Sequence, residues 1–289
     1  MKAPTRILVA TDFSAASERA LKTAIGLATR FGASITVTHV VEGAPYPYSA
    51  TPPPWVVESA KAHLDAAVAT LEADGLNAWG VLRQGLAWRE ICSAAAELSP
   101  DLVVVGTQGR HGLPRFVLGS VAELVVRQSP VPVLTVHPAD DVPVLGGVAD
   151  RIGPIVAPTD LSEASQRGID AAATLALALR GSLTLVYVYE VPSYAYYILD
   201  DIATEAEATI RRSLDEAVAR VRSRLPDVEG VVRSGTPWRG IIDVANERGA
   251  NMIVLSTHGR RGLDHALLGS VAEKVVRLSP VPVLTLRSK

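Results

Sequence analysis

Two stretches of this chain combine glycine, serine and arginine at a spacing that could bind an anion. The first spans Gly106–Ser120, and the second spans Ser256–Ser270, 150 residues later. Each follows a run of apolar residues typical of a buried strand and leads into a segment with helical periodicity. A strand, a glycine-bearing loop and a helix start bring unpaired N–H groups and the positive end of a helix dipole to one point. We therefore expect each stretch to hold a phosphate group.

Serine and arginine residues within these stretches have a structural and a functional interpretation, and the sequence leaves both open. Ser120 and Ser270 each begin the sequence Ser-Val-Ala-Glu. This is the pattern of a capping box, in which serine and glutamate satisfy the first N–H groups of a helix. The serine hydroxyl groups could also contact phosphate, because further N–H groups remain available at each helix start. Arg110 and Arg260 could neutralise phosphate charge or simply face solvent.

An aspartate follows the first predicted strand of each half. Asp12 lies in Ile7–Ser14, and Asp160 lies in the similar segment Ile155–Ser162. The structural interpretation is an Asx turn that starts the next helix. The functional interpretation is a carboxylate that accepts from a sugar hydroxyl or holds a metal ion. The same residue in both halves favours the functional role.

Both stretches belong to a repeat as long as a whole domain. Residues 106–135 and 256–285 are identical at 21 of 30 positions. Strands alternate with helices, which predicts parallel β-α-β units with right-handed crossovers. Five strands in each half predict an α/β fold: a doubly wound, flavodoxin-like parallel sheet with helices on both faces and a site where the strand order reverses. We expect a first domain at residues 1–138, a linker at 139–150 and a second domain at 151–289.

Composition and missing motifs narrow the class of function. The net charge of −2 argues against binding to nucleic acid or to an anionic membrane. A single cysteine, Cys92, and the lack of an apolar stretch of signal length at the N-terminus favour a cytoplasmic protein. The sequence has no P-loop lysine, no G-x-G-x-x-G after the first strand and no zinc-binding spacing of cysteine and histidine. We therefore assign no catalytic and no metal-binding residues, and we interpret His39 as structural.

The motif Gly106-x2-Gly109-x9-Gly119-Ser120, with Asp12 and the closing Ser-Pro-Val-Pro-Val-Leu, resembles the universal stress protein family. The resemblance covers nearly the whole chain as a tandem pair. It implies flavodoxin-like (Rossmann-like, adenine-nucleotide alpha hydrolase-like) domains that bind ATP and serve stress resistance or signalling. It also implies that Asp12 and the backbone near Val40 hold the adenosine end of the nucleotide. The residues implied to hold ribose and phosphates are Gly106, Gly109, Gly119, Ser120 and Val121.

The second half retains this pattern with one departure. Its corresponding residues are Asp160, Val188, Ser256, Gly259, Gly269, Ser270 and Val271. Ser256 replaces the first glycine, and its hydroxymethyl group could crowd the ribose or add a hydrogen bond. We expect both halves to bind ATP, AMP or ADP, with or without Mg²⁺, and the first half to bind at least as tightly.

The resemblance also bears on assembly and activity. Members of the family dimerise through the last strand, and here Val131–Val136 and Val281–Leu286 are nearly identical. The two halves could therefore form an internal pseudo-dimer that shields an apolar edge, and a homodimer is a further possibility. The expected function is a regulatory protein that holds adenine nucleotide and hydrolyses it slowly at most. The alternatives are a Mg²⁺-dependent ATPase or phosphotransferase that uses Asp12, and a stress scaffold with vestigial pockets.

Overall fold

A computed structural model describes residues 2–43, 52–107, 118–137, 153–190, 200–257 and 268–287, with the backbone alone at 200–204 and 206. The chain divides into two compact units, one covering Pro4–Val148 and the other Ala149–Lys289. The predicted linker, 139–150, falls outside the described residues, so its boundaries stay a prediction. Each unit is taken by itself below.

The first unit alternates strands and helices from its start to its end. Its elements are β1 (Arg6–Thr11), α1 (Ala15–Phe31), β2 (Ser34–Val41), α2 (Pro54–Ala73), β3 (Ala78–Gln84), α3 (Ala87–Leu98), β4 (Leu102–Gly106), α4 (Ser120–Gln128) and β5 (Val133–Val136). The strands pair in the order β3-β2-β1-β4-β5, and every pairing is parallel. Right-handed crossovers then place α1 and α2 on one face of the sheet and α3 and α4 on the other. The order reverses between β1 and β4, which confirms the predicted doubly wound sheet, but the strand order is 3-2-1-4-5 and not the flavodoxin order 2-1-3-4-5.

The second unit repeats this plan. Its elements are β6 (Ile155–Pro158), α5 (Glu163–Ala178), β7 (Leu183–Tyr189), α6 (Asp200–Arg222), β8 (Val228–Ser234), α7 (Pro237–Glu247), β9 (Met252–Ser256), α8 (Ser270–Leu278) and β10 (Val283–Leu286). Its strands pair in the order β8-β7-β6-β9-β10, again all parallel. The predicted fold of two tandem five-stranded α/β domains is therefore confirmed.

The core lies between the sheet and the helices on its two faces. Ile7, Leu8 and Val9 of β1 are all buried, because a central parallel strand is covered on both sides. Helix α1 meets β1 and β4 through small side chains, and its Ala20 and Ala24 are fully buried. The close approach of α1 to the sheet fixes where the helix begins, and hence where the loop after β1 lies.

The last strand of each domain is shorter than predicted. The strands begin at Val133 and Val283, two residues later than the sequence indicated. Pro132 has no N–H group to give to the sheet. Before it, Ser129 Oγ donates to the Val131 carbonyl oxygen at 2.8 Å and accepts from the Val131 N–H at 3.3 Å, so that this segment forms a turn.

Within the described ranges, no helix combines the length and the apolar composition that crossing a membrane requires.

Candidate functional site

A cavity of about 530 Å³ opens at the carboxyl end of the first domain's sheet, beside the strand reversal between β1 and β4. The ends of β1, β2 and β4, the starts of α1, α3 and α4 and one face of α2 line it. This is the position at which doubly wound sheets bind ligands. The described residues predicted for this site all line the cavity: Asp12, Val40, Gly106, Gly119, Ser120 and Val121. The predicted residues Gly109 and Arg110 lie outside the described residues.

Asp12 forms the Asx turn that the structural interpretation predicted. Its Oδ1 accepts from the Ser14 N–H at 3.1 Å and from the Ser14 hydroxyl at 2.6 Å. These bonds fix the carboxylate at the cavity wall, and because a carboxylate can accept about four hydrogen bonds, the turn does not by itself exclude a ligand contact.

Buried hydroxyl groups hold the loop between β1 and α1. Thr11 Oγ1 accepts from the Phe13 N–H at 3.0 Å and lies 3.1 Å from Ser17 Oγ. Ser14 caps α1 by accepting from the Ser17 N–H at 3.3 Å. Phe13 adopts a φ of 61°, which is unusual for a bulky side chain. The loop is thus a firmly bonded part of the cavity wall.

Gly106 is required by packing at the end of β4. A Cβ atom at this position would lie 2.9 Å from the carbonyl carbon and oxygen of Ala16 in the first turn of α1. Contacts that short do not occur for real side chains, so the approach of α1 to β4 depends on this glycine. This reason is independent of the ribose contact that the family resemblance implies.

Ser256 solves the same packing problem differently in the second domain. Its Oγ donates to the carbonyl oxygen of Ala164, in the first turn of α5, at 2.7 Å. Gly168 of α5 lies against it, since a Cβ on Gly168 would be 3.3 Å from both N and Oγ of Ser256. The corresponding residue of α1 is Ala20. In the first domain the glycine of this strand–helix contact is Gly106 in the strand β4. In the second domain it is Gly168 in the helix α5.

The predicted capping boxes at Ser120 and Ser270 are wrong. The N-cap residues are Gly119 and Gly269, and neither helix has a side-chain cap. The Glu123 N–H donates to the Gly119 carbonyl at 3.0 Å, which makes Ser120 the first helical residue, one position too late to cap. Each helix thus begins one residue earlier than the pattern suggested.

The first turn of α4 lies directly at the cavity. Ser120, Val121 and Ala122 line it, and the N–H groups of a first turn have no partners within the helix. The Gly119 N–H is already used, since it donates to the Thr107 carbonyl at 2.7 Å. The positive end of the α4 dipole therefore faces the cavity and favours an anion there.

Two carboxylates lie on the other side of the cavity, at the ends of β1 and β2. One is Asp12 and the other is Glu42, whose Oε1 accepts from the Ala87 N–H at the start of α3 at 2.9 Å. The cavity therefore has two carboxylates at the ends of β1 and β2 and the positive end of the helix dipole at the start of α4.

In the part of the chain that the structure describes, no group of three or more His, Cys, Asp or Glu side chains is arranged to hold a metal ion.

Sequence reasoning missed three ring-bearing residues of the cavity wall. Phe13, Trp55 and His63 line it together with His39. His39 was predicted to be structural, and its Nδ1 does bond the Thr11 carbonyl at 2.7 Å. Trp55 and His63 are eight residues apart in α2, so that they lie on one helix face. That spacing was visible in the sequence, but nothing in it showed that this face meets the end of the sheet.

The second domain has the same frame. Asp160 Oδ1 accepts from the N–H and the hydroxyl of Ser162 at 3.0 and 2.5 Å. Gly269 starts α8, with Ser270 and Val271 as its first helical residues. Val188 lies at the end of β7 against α7, where a Cβ on Gly240 would be 2.9 Å from its Cγ1. Gly259 and Arg260 lie outside the described residues.

A doubly wound α/β domain with an anion-favouring helix start at its strand reversal, present twice, is the class that fold and site define. A sequence model described as the Universal stress protein family matches residues 4–137 and 151–287, which is nearly the whole of both domains. The chain therefore belongs to the universal stress protein family.

Similar proteins of comparable length support this assignment. The chain is 31% identical to universal stress protein Rv2005c of Mycobacterium tuberculosis over 271 residues, which cover 88% of this chain and 87% of the relative. It is 30% identical to a universal stress protein of Mycolicibacterium smegmatis over 304 aligned positions, covering 98% and 97%. A crystal structure of a universal stress protein from Archaeoglobus fulgidus superposes with a TM-score of 0.70 at 23% identity, covering 98% of both chains. That last likeness concerns the fold.

Proposed function

We propose that the cavity of the first domain binds an adenine nucleotide, either ATP or one of its relatives ADP and AMP. The observation that carries this proposal is the convergence of the six described candidate residues on one cavity at the strand reversal. They come from the loop after β1, from β2 and β4, and from the start of α4, which are distant in sequence. A volume of about 530 Å³ falls within the usual range of roughly 300–1,000 Å³ for small-molecule sites.

The charge distribution of the cavity supports one orientation of the nucleotide. The first turn of α4 offers N–H groups and a positive dipole end, which suit the phosphates. Asp12 and Glu42 would repel phosphates, but they are good acceptors for sugar hydroxyl or amino groups. The adenosine end therefore lies towards β1 and β2, near Val40, and the phosphates lie towards Gly119 and Ser120.

The second domain is proposed to bind nucleotide in the same way. Its aspartate turn at Asp160 and its helix start at Gly269 have nearly the same hydrogen-bond lengths as those of the first domain. Ser256 uses its hydroxyl group on Ala164, so the proposal does not depend on a contact between Ser256 and the ribose. Gly259 and Arg260 would complete this site on the phosphate side.

We infer that the bound nucleotide is held rather than turned over. The sequence contains no G-x-x-x-x-G-K-[ST] motif, whose lysine assists fast phosphoryl transfer in P-loop enzymes. Hydrolysis is therefore slow at most. Membership of the universal stress protein family supports a regulatory role in the stress response, which we place in the cytoplasm.

Mass spectrometry of small molecules released from the purified protein tests the proposed ligand. Adenine nucleotide should be present, and added ATP should raise the midpoint of thermal unfolding, since ligand at 100 times its dissociation constant adds about 2.7 kcal/mol to stability. Absence of both effects would contradict nucleotide binding. Turnover of about 1–100 s⁻¹, as in kinases, would contradict the regulatory role and favour an enzyme.

We further propose that the last strands of the two domains pair to form an internal pseudo-dimer. The support is the near identity of β5 and β10, each of which is an edge strand within its own five-stranded order. Unpaired edges expose backbone groups that promote aggregation. In a protein that light scattering shows to be monomeric, the outward N–H groups of both strands should exchange slowly with deuterium. Fast exchange there would contradict the pairing.

A further inference from the structure

Three rings from three separate elements meet in the wall of the first domain's cavity. The ring centroid of Phe13, in the loop after β1, lies 4.7 Å from that of His39 in β2 and 5.6 Å from that of His63 in α2. The planes are tilted by 44° and 45°, within the range of favourable aromatic contacts. We call these three residues the ring cluster. All three line the cavity.

Hydrogen bonds fix the orientation of each member. Nδ1 of His39 donates to the Thr11 carbonyl at 2.7 Å, and Nδ1 of His63 donates to the Ser59 carbonyl at 2.8 Å. A carbonyl oxygen can only accept, so the proton lies on Nδ1 in both rings. The backbone of Phe13 is held by its own N–H bond to Thr11. The cluster is therefore preorganised, which lowers the entropic cost of binding a ligand against it.

Trp55 adds a further flat surface to the same cavity. Its side chain is 70% exposed although it lines the cavity wall, and it lies on the α2 face that carries Ser59 and His63. Exposed indole surface next to a preformed cavity is apolar area that a planar ligand could cover. Base stacking on such rings does not depend on the identity of the base.

The second domain keeps the backbone of this region but not its rings. Leu161 corresponds to Phe13 and adopts nearly the same φ, 63° against 61°. Gly80 packs on Leu64 and Gly230 packs on Leu214, which aligns α2 with α6. In that alignment, Ser213 of the second domain is equivalent to His63 of the first, and Glu205 is equivalent to Trp55. Of the cluster, only the position of His39 keeps a ring in the second domain, as Tyr187.

We propose that the ring cluster, with Trp55, is a stacking subsite for the planar ring of the ligand, and that it makes the first domain selective for ring-bearing phosphates. The second domain, without the cluster, binds mainly through the phosphates. This inference rests on the proposed nucleotide site and assigns its selectivity to residues outside the glycine motif. It predicts that the two domains differ most in how they distinguish ATP from inorganic tripolyphosphate.

The chain itself supplies conservative test variants. Phe13→Leu introduces the residue that the second domain carries at the same backbone conformation, so the fold should tolerate it. His63→Ser introduces the residue of the second domain at an exposed helix position. Both are made in full-length protein that carries Ser270→Asp, which places a carboxylate in the first turn of α8 and thereby blocks anion binding in the second domain.

Calorimetric titration with ATP and with tripolyphosphate then isolates the ring subsite. Alanine replacement of a stacking ring weakens base binding roughly five- to hundredfold. Because leucine keeps part of the apolar contact, Phe13→Leu should weaken ATP binding about five- to tenfold and leave tripolyphosphate binding unchanged. His63→Ser should act in the same direction and more weakly.

The alternative is that the cluster serves only packing. If Phe13→Leu weakened the binding of ATP and of tripolyphosphate equally, or weakened neither, the stacking subsite would be overturned. The proposal that the first domain binds nucleotide would be unaffected. If the Ser270→Asp protein bound neither ligand, the proposed function of the first domain would fail, and this inference with it.

Discussion

Gly106 and Ser256 occupy equivalent positions, and the neighbouring helix compensates for the difference between them. Gly106 lies against the backbone of Ala16, while Ser256 bonds Ala164 and has Gly168 beside it. The pair Gly106 and Ala20 in one domain thus corresponds to the pair Ser256 and Gly168 in the other. Helix packing therefore accounts for the serine at position 256, and the relative affinity of the two sites stays a prediction.

Gly106→Ser should destabilise the first domain by about 1–3 kcal/mol, because the added side chain meets the α1 backbone. Ala20→Gly alone should cost about 1 kcal/mol, as glycine does inside a helix. The double variant should be less destabilised than the sum of the two, and urea unfolding measures this coupling. Strict additivity would contradict the compensation. Ser256→Gly is the matched control and should lose only about 1 kcal/mol for one hydrogen bond.

Asp12 combines a turn with a proposed ligand contact, and the two roles can be separated. Asparagine keeps an Oδ1 that accepts both bonds from Ser14, so Asp12→Asn should change stability by less than about 0.5 kcal/mol. The loss of a charged acceptor should weaken ATP binding about tenfold, since bonds to charged groups contribute roughly 1.5–3 kcal/mol. In protein whose second site is blocked by Ser270→Asp, unchanged ATP affinity would show that Asp12 serves only the turn.

At the scale of elements, hydrogen bonds at the amino end of the first domain's sheet, opposite the cavity, hold the start of β1 against the start of β4. Asp101 Oδ2 accepts from the N–H and hydroxyl of Thr5 at 2.8 Å each and from the Arg6 N–H at 3.0 Å. Burial raises the pKa of Asp101, but these hydrogen bonds outweigh it and hold the pKa below its ordinary value. Asn251 replaces the carboxylate in the second domain and accepts from the Gly153 N–H.

Asp101 should therefore make the first domain sensitive to acid. A carboxyl whose pKa is lowered by folding stabilises the fold above its unfolded pKa of about 3.9, and this stabilisation is lost as the pH falls through the folded value. Asp101→Asn should cost about 1 kcal/mol at pH 7 and flatten the loss of stability below pH 4. Urea midpoints measured from pH 7 down to pH 3 test this. An identical acid dependence in the variant would contradict it.

Several element boundaries depended on contacts that the sequence does not display. The pattern Ser-Val-Ala-Glu predicted a cap at Ser120, but the carbonyl of Gly119 already accepts the first helical bond. The apolar run before the end of each domain predicted a longer strand, but Pro132 delays the pairing of β5. In both cases the local pattern was right about the kind of element and wrong by one or two residues about its start.

At the scale of the whole molecule, the repeat made most of the architecture predictable. Two copies of the same strand, loop and helix pattern indicated two doubly wound domains, and the parallel orders of both sheets confirm this. The position of the candidate cavity followed from the fold, because the ends of β1 and β4 meet at the strand reversal. The ring cluster did not follow, because Phe13, His39 and His63 are brought together only by tertiary packing.

We expect the two domains to differ in how they bind the base of the nucleotide. The first has the ring cluster and the second has Leu161 and Ser213 in its place, although both keep the aspartate turn and the helix start. If the proposed stacking subsite is correct, the first domain responds to the nucleotide base and the second responds to phosphate. The difference is encoded outside the glycine motif that the domains share.

The most direct test is calorimetric titration of ATP into the wild type and into Ser120→Asp and Ser270→Asp. Each substitution puts a carboxylate at an exposed first helical position, where it favours the helix by about 0.3–1 kcal/mol and competes with phosphate for the same N–H groups. We predict that Ser120→Asp stays folded and loses the tighter ATP site, while Ser270→Asp retains it. A folded Ser120→Asp protein that binds ATP like the wild type would contradict the site proposed at the start of α4.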